Sequence, residues 1–146
     1  MIKNAQIPNN QMIFSSQELR NMGFSYYRIN QMVEQGMLTK LNKKYYENVG
    51  FDGEESDFYY VYAYVPDGVV CLLSAAVYYN LSTYRLEAID VAIPRNGNVS
   101  TLPDWPELKV CYFTDDRYYT GIEIIEDGKN RFCIYDIEKT VVYIVY

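Results

Sequence analysis

The stretch FSSQELRNMGFSYYRINQMVEQGML, residues 14–38, decides the fold of the first third of this chain. Ser15 is followed three residues later by Glu18, which is the spacing of a capping box and predicts a short helix through about residue 22. Gly23 interrupts the pattern, and Ser25 can cap a second helix that ends before Gly36. These signals predict two helices joined by a tight turn.

The second helix, residues 25–35, has an apolar stripe. Ile29, Met32 and Val33 recur at i, i+3 and i+4 and therefore face a core, with Tyr26 beside them. Two short strands follow at residues 38–41 and 45–47, around the basic turn 42–44. Helix, glycine turn, helix and basic hairpin are the order of a winged helix-turn-helix. The sequence therefore predicts such a domain over residues 1–49, which we call the head.

The charge divides unequally along the chain. Residues 1–50 carry six basic and three acidic side chains, whereas residues 51–146 carry seven and sixteen, so the net charges of +3 and −9 give the formal −6. A basic segment before an acidic one indicates an anion-binding module attached to a module with a different role. The change of sign falls in the glycine-containing segment 49–55, which is the best linker candidate.

Residues 56–146, which we call the body, mix helix and strand signals. Helices are predicted at 57–64, 74–79 and 136–146, the first capped by Ser56, and an extended run at 69–73. Strands are predicted at 89–93, 108–113, 122–126 and 131–135, the last two forming a hairpin around Asp127-Gly128. This order predicts an α+β domain on a small mixed sheet, and the chain as a whole is assigned to the α+β class.

Composition excludes several kinds of chemistry. The chain has no histidine, which removes Ser-His-Asp and Cys-His catalysis and most zinc sites. Its three cysteines stand far apart in apolar runs and are expected to be buried, reduced thiols of a cytoplasmic protein. We predict no catalytic residue, metal or cofactor, and no signal peptide or membrane span.

The polar face of the second helix suits DNA. Arg can bond guanine through two hydrogen bonds and Asn or Gln can do so with adenine, while Tyr reaches phosphate or thymine methyl groups. Hairpin lysines would neutralise phosphates, and the first helix would offer backbone N–H donors at its start. An exposed helix face can also be simply polar, and Glu34 at the far end of this face counts against DNA. The predicted DNA-binding residues are Ser15, Ser16, Gln17, Tyr27, Arg28, Asn30, Gln31, Lys40, Lys43 and Lys44.

Four stretches carry a resemblance to a known family. Residues 14–38 resemble the N-terminal winged helix of AbiEi-type antitoxins, which belong to type IV toxin–antitoxin operons of abortive infection (phage defence). GVVCLLSAAVYYNLS (68–82), DVAIPR (90–95) and IYDIEKT (134–140) are similar to later family segments, in the family's order. Lys44 stands where the family usually has Gly, and Tyr143 where it usually has Asp. Family members continue beyond the position of Tyr146, so the resemblance leaves open whether the body is complete or truncated.

The resemblance implies two functions. The winged helix would bind inverted repeats in the chain's own promoter and act as a transcriptional repressor. The body would oppose a nucleotidyltransferase-like toxin without forming a stable complex with it. The alternative is a winged-helix transcriptional regulator whose acidic body senses a ligand or binds a protein partner. A nucleotidyltransferase enzyme is disfavoured because the chain lacks a Gly-Ser…Asp-x-Asp arrangement.

Overall fold

A computed structural model describes residues 7–99 and 101–145 of the chain. Over that part the chain has six helices and two sheets, of three and five strands, in agreement with the predicted α+β class. Residues 1–6 of the predicted head and Tyr146 at the end of the predicted last helix lie outside the described residues.

The head is built from two short helices and a small sheet. Its elements are β1 (Ile13–Ser15), α1 (Ser16–Asn21), α2 (Tyr26–Glu34), β2 (Leu38–Lys40) and β3 (Tyr45–Asn48). The strands are antiparallel in the order β1-β3-β2. Both predicted helices and both predicted hairpin strands are present, whereas β1 was not predicted. The head encloses a cluster of buried side chains: Phe14, Leu19, Phe24, Ile29, Met32, Leu38 and Tyr46.

The body is built on a mixed five-stranded sheet. Its elements are α3 (Tyr59–Tyr64), β4 (Val69–Val70), α4 (Leu72–Tyr78), β5 (Ile89–Pro94), β6 (Leu108–Phe113), α5 (Asp115–Tyr119), β7 (Ile122–Asp127), β8 (Asn130–Tyr135) and α6 (Ile137–Val145). The strand order is β6-β5-β4-β8-β7. The β5–β6 and β4–β8 pairs are parallel, and the β4–β5 and β7–β8 pairs are antiparallel. The predicted small mixed sheet is therefore present.

Three details of the body differ from the prediction. The extended run expected at 69–73 is a strand only at Val69–Val70, because helix α4 already begins at Leu72. The helix expected from residue 57 begins at Tyr59, since the Ser56 hydroxyl accepts a hydrogen bond from the Phe58 amide and forms a turn first. Helix α5 was not predicted.

The expectation of three buried cysteines was wrong for two of them. Cys71 is buried, whereas Cys111 and Cys133 are half-buried. Both of these lie on strands of the five-stranded sheet, and Cys111 lies on β6, which is an edge strand. An apolar run in the sequence marks a strand, but it does not tell whether the strand is covered on both faces.

Head and body share a hydrophobic core. The largest cluster of buried residues joins Met12, Ile13 and Tyr45 of the head to side chains of α3, β4, β5 and β8. Residues 49–55 have neither helix nor strand, as expected of a connection. The connection therefore joins two parts that pack on each other, which fixes where the head presents its surface.

Candidate nucleic-acid interface

Side-chain caps set the positions of α1 and α2. The Ser15 hydroxyl accepts a hydrogen bond from the Glu18 amide at 3.0 Å, and the Glu18 carboxylate accepts one from the Ser15 amide, which completes the predicted capping box. The Ser25 hydroxyl accepts a hydrogen bond from the Arg28 amide at 3.1 Å at the start of α2. Gly23 has φ +100° between the helices, a conformation that side chains other than glycine rarely adopt. Local sequence therefore fixes the angle between the helices.

Helix α2 turns its apolar stripe inward and its polar side outward. Ile29 and Met32 are buried and Val33 is half-buried, as predicted. Tyr27 is 73% exposed on the opposite side. The Gln31 amide donates to the Tyr27 hydroxyl at 3.2 Å and its carbonyl oxygen accepts from the Arg28 guanidinium at 3.5 Å. Tyr27, Arg28 and Gln31 are thus connected by hydrogen bonds. The edge of a DNA base could replace these hydrogen bonds with bonds of its own.

Arg20 and Tyr26 form a pair beside this face that the sequence reasoning missed. Tyr26 was expected beside the core, but it is 59% exposed, and the Arg20 guanidinium lies 4.5 Å from the centre of its ring. At about 100° per residue, Tyr26 and Arg28 lie on opposite borders of the exposed face of α2. Guanidinium groups therefore flank both sides of the helix. The sequence signal that could have revealed this pair is the positive charge of Arg20 near the end of α1, just before the turn at Gly23.

The basic turn of the β2–β3 hairpin is held by Asn42. Its side-chain oxygen accepts hydrogen bonds from the amides of Lys44 and Tyr45 at 3.0 and 2.9 Å, and its side-chain nitrogen donates to the Ala63 carbonyl of α3 at 2.9 Å. The side chains of Lys40, Lys43 and Lys44 are exposed. The turn is therefore fixed to the body while its lysines remain accessible.

The prediction of phosphate-binding backbone donors at the start of α1 was wrong for two of three residues. The Ser15 amide donates to the Glu18 carboxylate, and the Ser16 amide donates to the Lys44 carbonyl at 2.7 Å. Ser15 is also 9% exposed, and its hydroxyl caps the helix. These donors are engaged within the protein because β1 runs directly into α1. Gln17 and Asn30 are exposed, and the Gln17 side-chain amide donates to Asn21.

The acidic side chains of the head differ in their exposure and in their hydrogen bonds. The Glu18 carboxylate accepts hydrogen bonds from the Ser15 amide and from the Gln11 side-chain amide. The Glu47 carboxylate accepts a hydrogen bond from the Tyr60 hydroxyl of α3 at 2.8 Å. Glu34 is exposed at the last position of α2. The repulsion of a phosphate backbone is therefore greatest at the C-terminal end of α2, and the N-terminal half is the better surface for an anion.

A column of aromatic and cationic side chains joins the hairpin to the body. The Lys44 ammonium lies 5.8 Å from the Tyr45 ring centre, the Tyr45 and Tyr62 rings meet edge to face at 5.5 Å, and the Arg131 guanidinium donates to the Tyr62 hydroxyl at 3.0 Å. Burial raises the pKa of Tyr45 to about 12, so its hydroxyl stays neutral. The column places Arg131 of β8 on the side of the head that carries the lysines.

Neither a scan against models of protein families nor a search of curated proteins found a match to the chain. In residues 7–99 and 101–145, none of the helices has the length and apolar character needed to cross a membrane.

Proposed function

We propose that the head is a winged helix-turn-helix that binds double-stranded DNA. The observation that carries the proposal is the polar face of α2, where Tyr27 and Asn30 are exposed and Arg28 and Gln31 are half-buried. This face lies beside an exposed lysine turn, on a sheet of order β1-β3-β2. In this arrangement α2 enters the major groove and the hairpin turn rests on the adjacent backbone. The buried stripe of α2 and the clamped Asn42 turn hold both surfaces in one orientation, which lowers the entropic cost of binding.

Each side chain of the surface has an expected role. Arg28 and Gln31 exchange their mutual hydrogen bond for base edges, and Asn30 reaches a neighbouring base. Tyr27 contacts a phosphate or a thymine methyl group. Lys40, Lys43 and Lys44 neutralise phosphates on the hairpin side, and these contacts position the protein without specifying sequence.

A gel-shift titration tests this proposal. The probes are duplex DNA from immediately upstream of the chain's own reading frame and a shuffled duplex of the same composition. We expect the upstream duplex to bind at least about tenfold more tightly, because specific binding exceeds non-specific binding by a larger factor than that. Equal and weak binding of the chain to both duplexes would refute recognition of an operator and would indicate that the chain is an interaction module.

We further propose that the chain is the antitoxin of a type IV system that represses its own operon. The resemblance over residues 68–82, 90–95 and 134–140 supports this, because these segments contain β4, α4, most of β5, the last two residues of β8 and the first turn of α6, and these elements are neighbours in the body. The Ser74 hydroxyl accepts a hydrogen bond from the Asp90 amide at 2.8 Å, which links two of the segments. The similar residues thus belong to one contiguous unit.

A rescue assay tests the antitoxin role. A nucleotidyltransferase-like reading frame downstream of this gene would be induced with and without the chain, and growth would be compared. We expect growth to be restored without co-purification of the two proteins. Failure of the chain to restore growth, with DNA binding intact, would favour the alternative regulator.

One observation favours that alternative. A cleft of about 430 Å3 lies between head and body, with Glu18 of α1, Tyr59 and Tyr62 of α3, and Asn130 and Arg131 of β8 in its lining. A polar molecule there would contact the capping residue of α1 and the hairpin of the body together. Small-molecule-dependent change in the affinity for the upstream duplex would support a ligand-sensing regulator.

A further inference from the structure

A second groove of about 410 Å3 lies on the body, and no residue of α2 is in its described lining. Its apolar floor includes Phe58 before α3, Leu86 before β5, and Ile89 at the start of that strand. Trp105 forms one wall and is 63% exposed. One edge of Trp105 is fixed, because its ring meets the Tyr60 ring edge to face at 5.5 Å. An exposed apolar surface with a fixed aromatic wall is typical of a protein interaction site.

The charge around this groove has a single sign. Asp57, Glu87, Asp104 and Glu107 line it, all four are exposed, and the described lining includes no lysine or arginine. A concave surface lined by one sign of charge focuses the field and attracts the opposite charge. The face of Trp105 adds to this attraction, because tryptophan is the best aromatic partner for a cation.

The arrangement distinguishes among possible occupants. Nucleic acid is repelled by four carboxylates. In the part of the chain that the structure describes, no three carboxylate or thiol side chains converge closely enough to hold a metal ion. A free amine would leave the apolar floor uncovered, whereas a polypeptide segment can place apolar and cationic side chains in the groove together. We propose that this groove, which we call the acidic groove, binds a partner protein through a segment that combines Lys or Arg with apolar side chains.

The acidic groove shares none of the predicted DNA-binding residues, although Asp104 and Trp105 also line a neighbouring depression with Lys43 of the hairpin turn. The proposal assigns the excess negative charge of the body to the recognition of a basic partner. Charge complementarity at the rim of the acidic groove would speed association with that partner.

Trp105 is the single tryptophan of the chain, so its fluorescence reports on the acidic groove directly. The probe is a short synthetic peptide of Arg, Leu and Gly in equal numbers, and the control peptide has Glu in place of each Arg. We expect a saturable change in Trp105 emission with the Arg peptide, weakened by added salt, and none with the Glu peptide. Absence of binding by the Arg peptide, or equal binding by both, would overturn the proposal.

Matched charge variants locate the binding. Glu87→Gln with Glu107→Gln should weaken the Arg peptide about threefold to tenfold, the effect of losing two exposed charge contacts. The control is Glu123→Gln with Glu138→Gln, which changes the net charge equally but lies outside the lining. Equal weakening by both pairs would show a general charge effect and contradict the proposal. The parent chain could instead fail to bind the peptide and associate with itself, with the Glu87→Gln/Glu107→Gln variant remaining monomeric. That result would identify a second copy of the chain as the occupant and would also refute the proposal.

Discussion

Asn130 is the side chain through which the body holds the first segment of the head, and its removal has a calculable cost. Its oxygen accepts a hydrogen bond from the Met12 amide at 2.6 Å, and its nitrogen donates to the Asn10 and Asp127 carbonyls at 2.9 and 3.2 Å. Asn130 and Met12 are 5% and 3% exposed. Asn130→Ala would leave the buried Met12 amide without this acceptor, which costs about 1–3 kcal/mol, and would remove two further bonds of about 0.5–1.5 kcal/mol each.

We therefore expect Asn130→Ala to lower the free energy of unfolding by about 2–6 kcal/mol, a large part of the stability of a small protein. Urea unfolding followed by Trp105 fluorescence and by circular dichroism measures this loss. The matched control is Asn98→Ala at an exposed position, where a change within about 0.5 kcal/mol is expected. If Asn130→Ala were as stable as Asn98→Ala, the junction of head and body described above would be wrong.

Three other perturbations follow from the structure. Ser15→Ala removes the hydroxyl that caps α1 and should cost about 1 kcal/mol in urea unfolding, whereas an unchanged midpoint would contradict the capping role. Arg28→Ala and Gln31→Ala should each relax base preference by about 1–3 kcal/mol in competition gel shifts with single-base operator variants, and unchanged preference would remove them from base recognition. Burial lowers the pKa of Lys139 to about 8, so between about pH 8 and 10.5 the unfolded chain holds a proton that the folded chain has released. The stability of the parent should then rise with pH in this window by up to about 3 kcal/mol relative to Lys139→Met, as urea midpoints at several pH values would show, and parallel pH profiles would refute it.

Local signals in the sequence predicted the helices of the head well. The Ser15 and Ser25 caps and the stripe of Ile29 and Met32 act within a few residues, so spacing alone shows where α1 and α2 begin and which side faces the core. Helix α5 was missed although Thr114 precedes Asp115 and Asp116, a common pattern at a helix start, because the helix is only five residues long.

Long-range contacts account for the remaining differences. Strand β1 is three residues long, and it is a strand because it pairs with residues 45–47 of β3, far along the chain. The same pairing brings the Lys44 carbonyl to the Ser16 amide, which is why a donor counted as free in the sequence is bonded in the structure. The Arg20–Tyr26 pair crosses the turn between two helices, and neither helix pattern alone shows that contact.

The salt dependence of DNA binding tests the central claim most directly, because each phosphate contact contributes about 0.9 to the slope of log affinity against log salt concentration. For the parent chain on its upstream duplex we predict a steep negative slope, and for Lys43→Ala with Lys44→Ala a slope that is shallower by about 1.8. Lys109→Ala with Lys129→Ala, an equal change of charge on the body, should leave the slope unchanged. A flat slope for the parent, or the same slope for both double variants, would contradict DNA binding by the α2 face and its lysine hairpin.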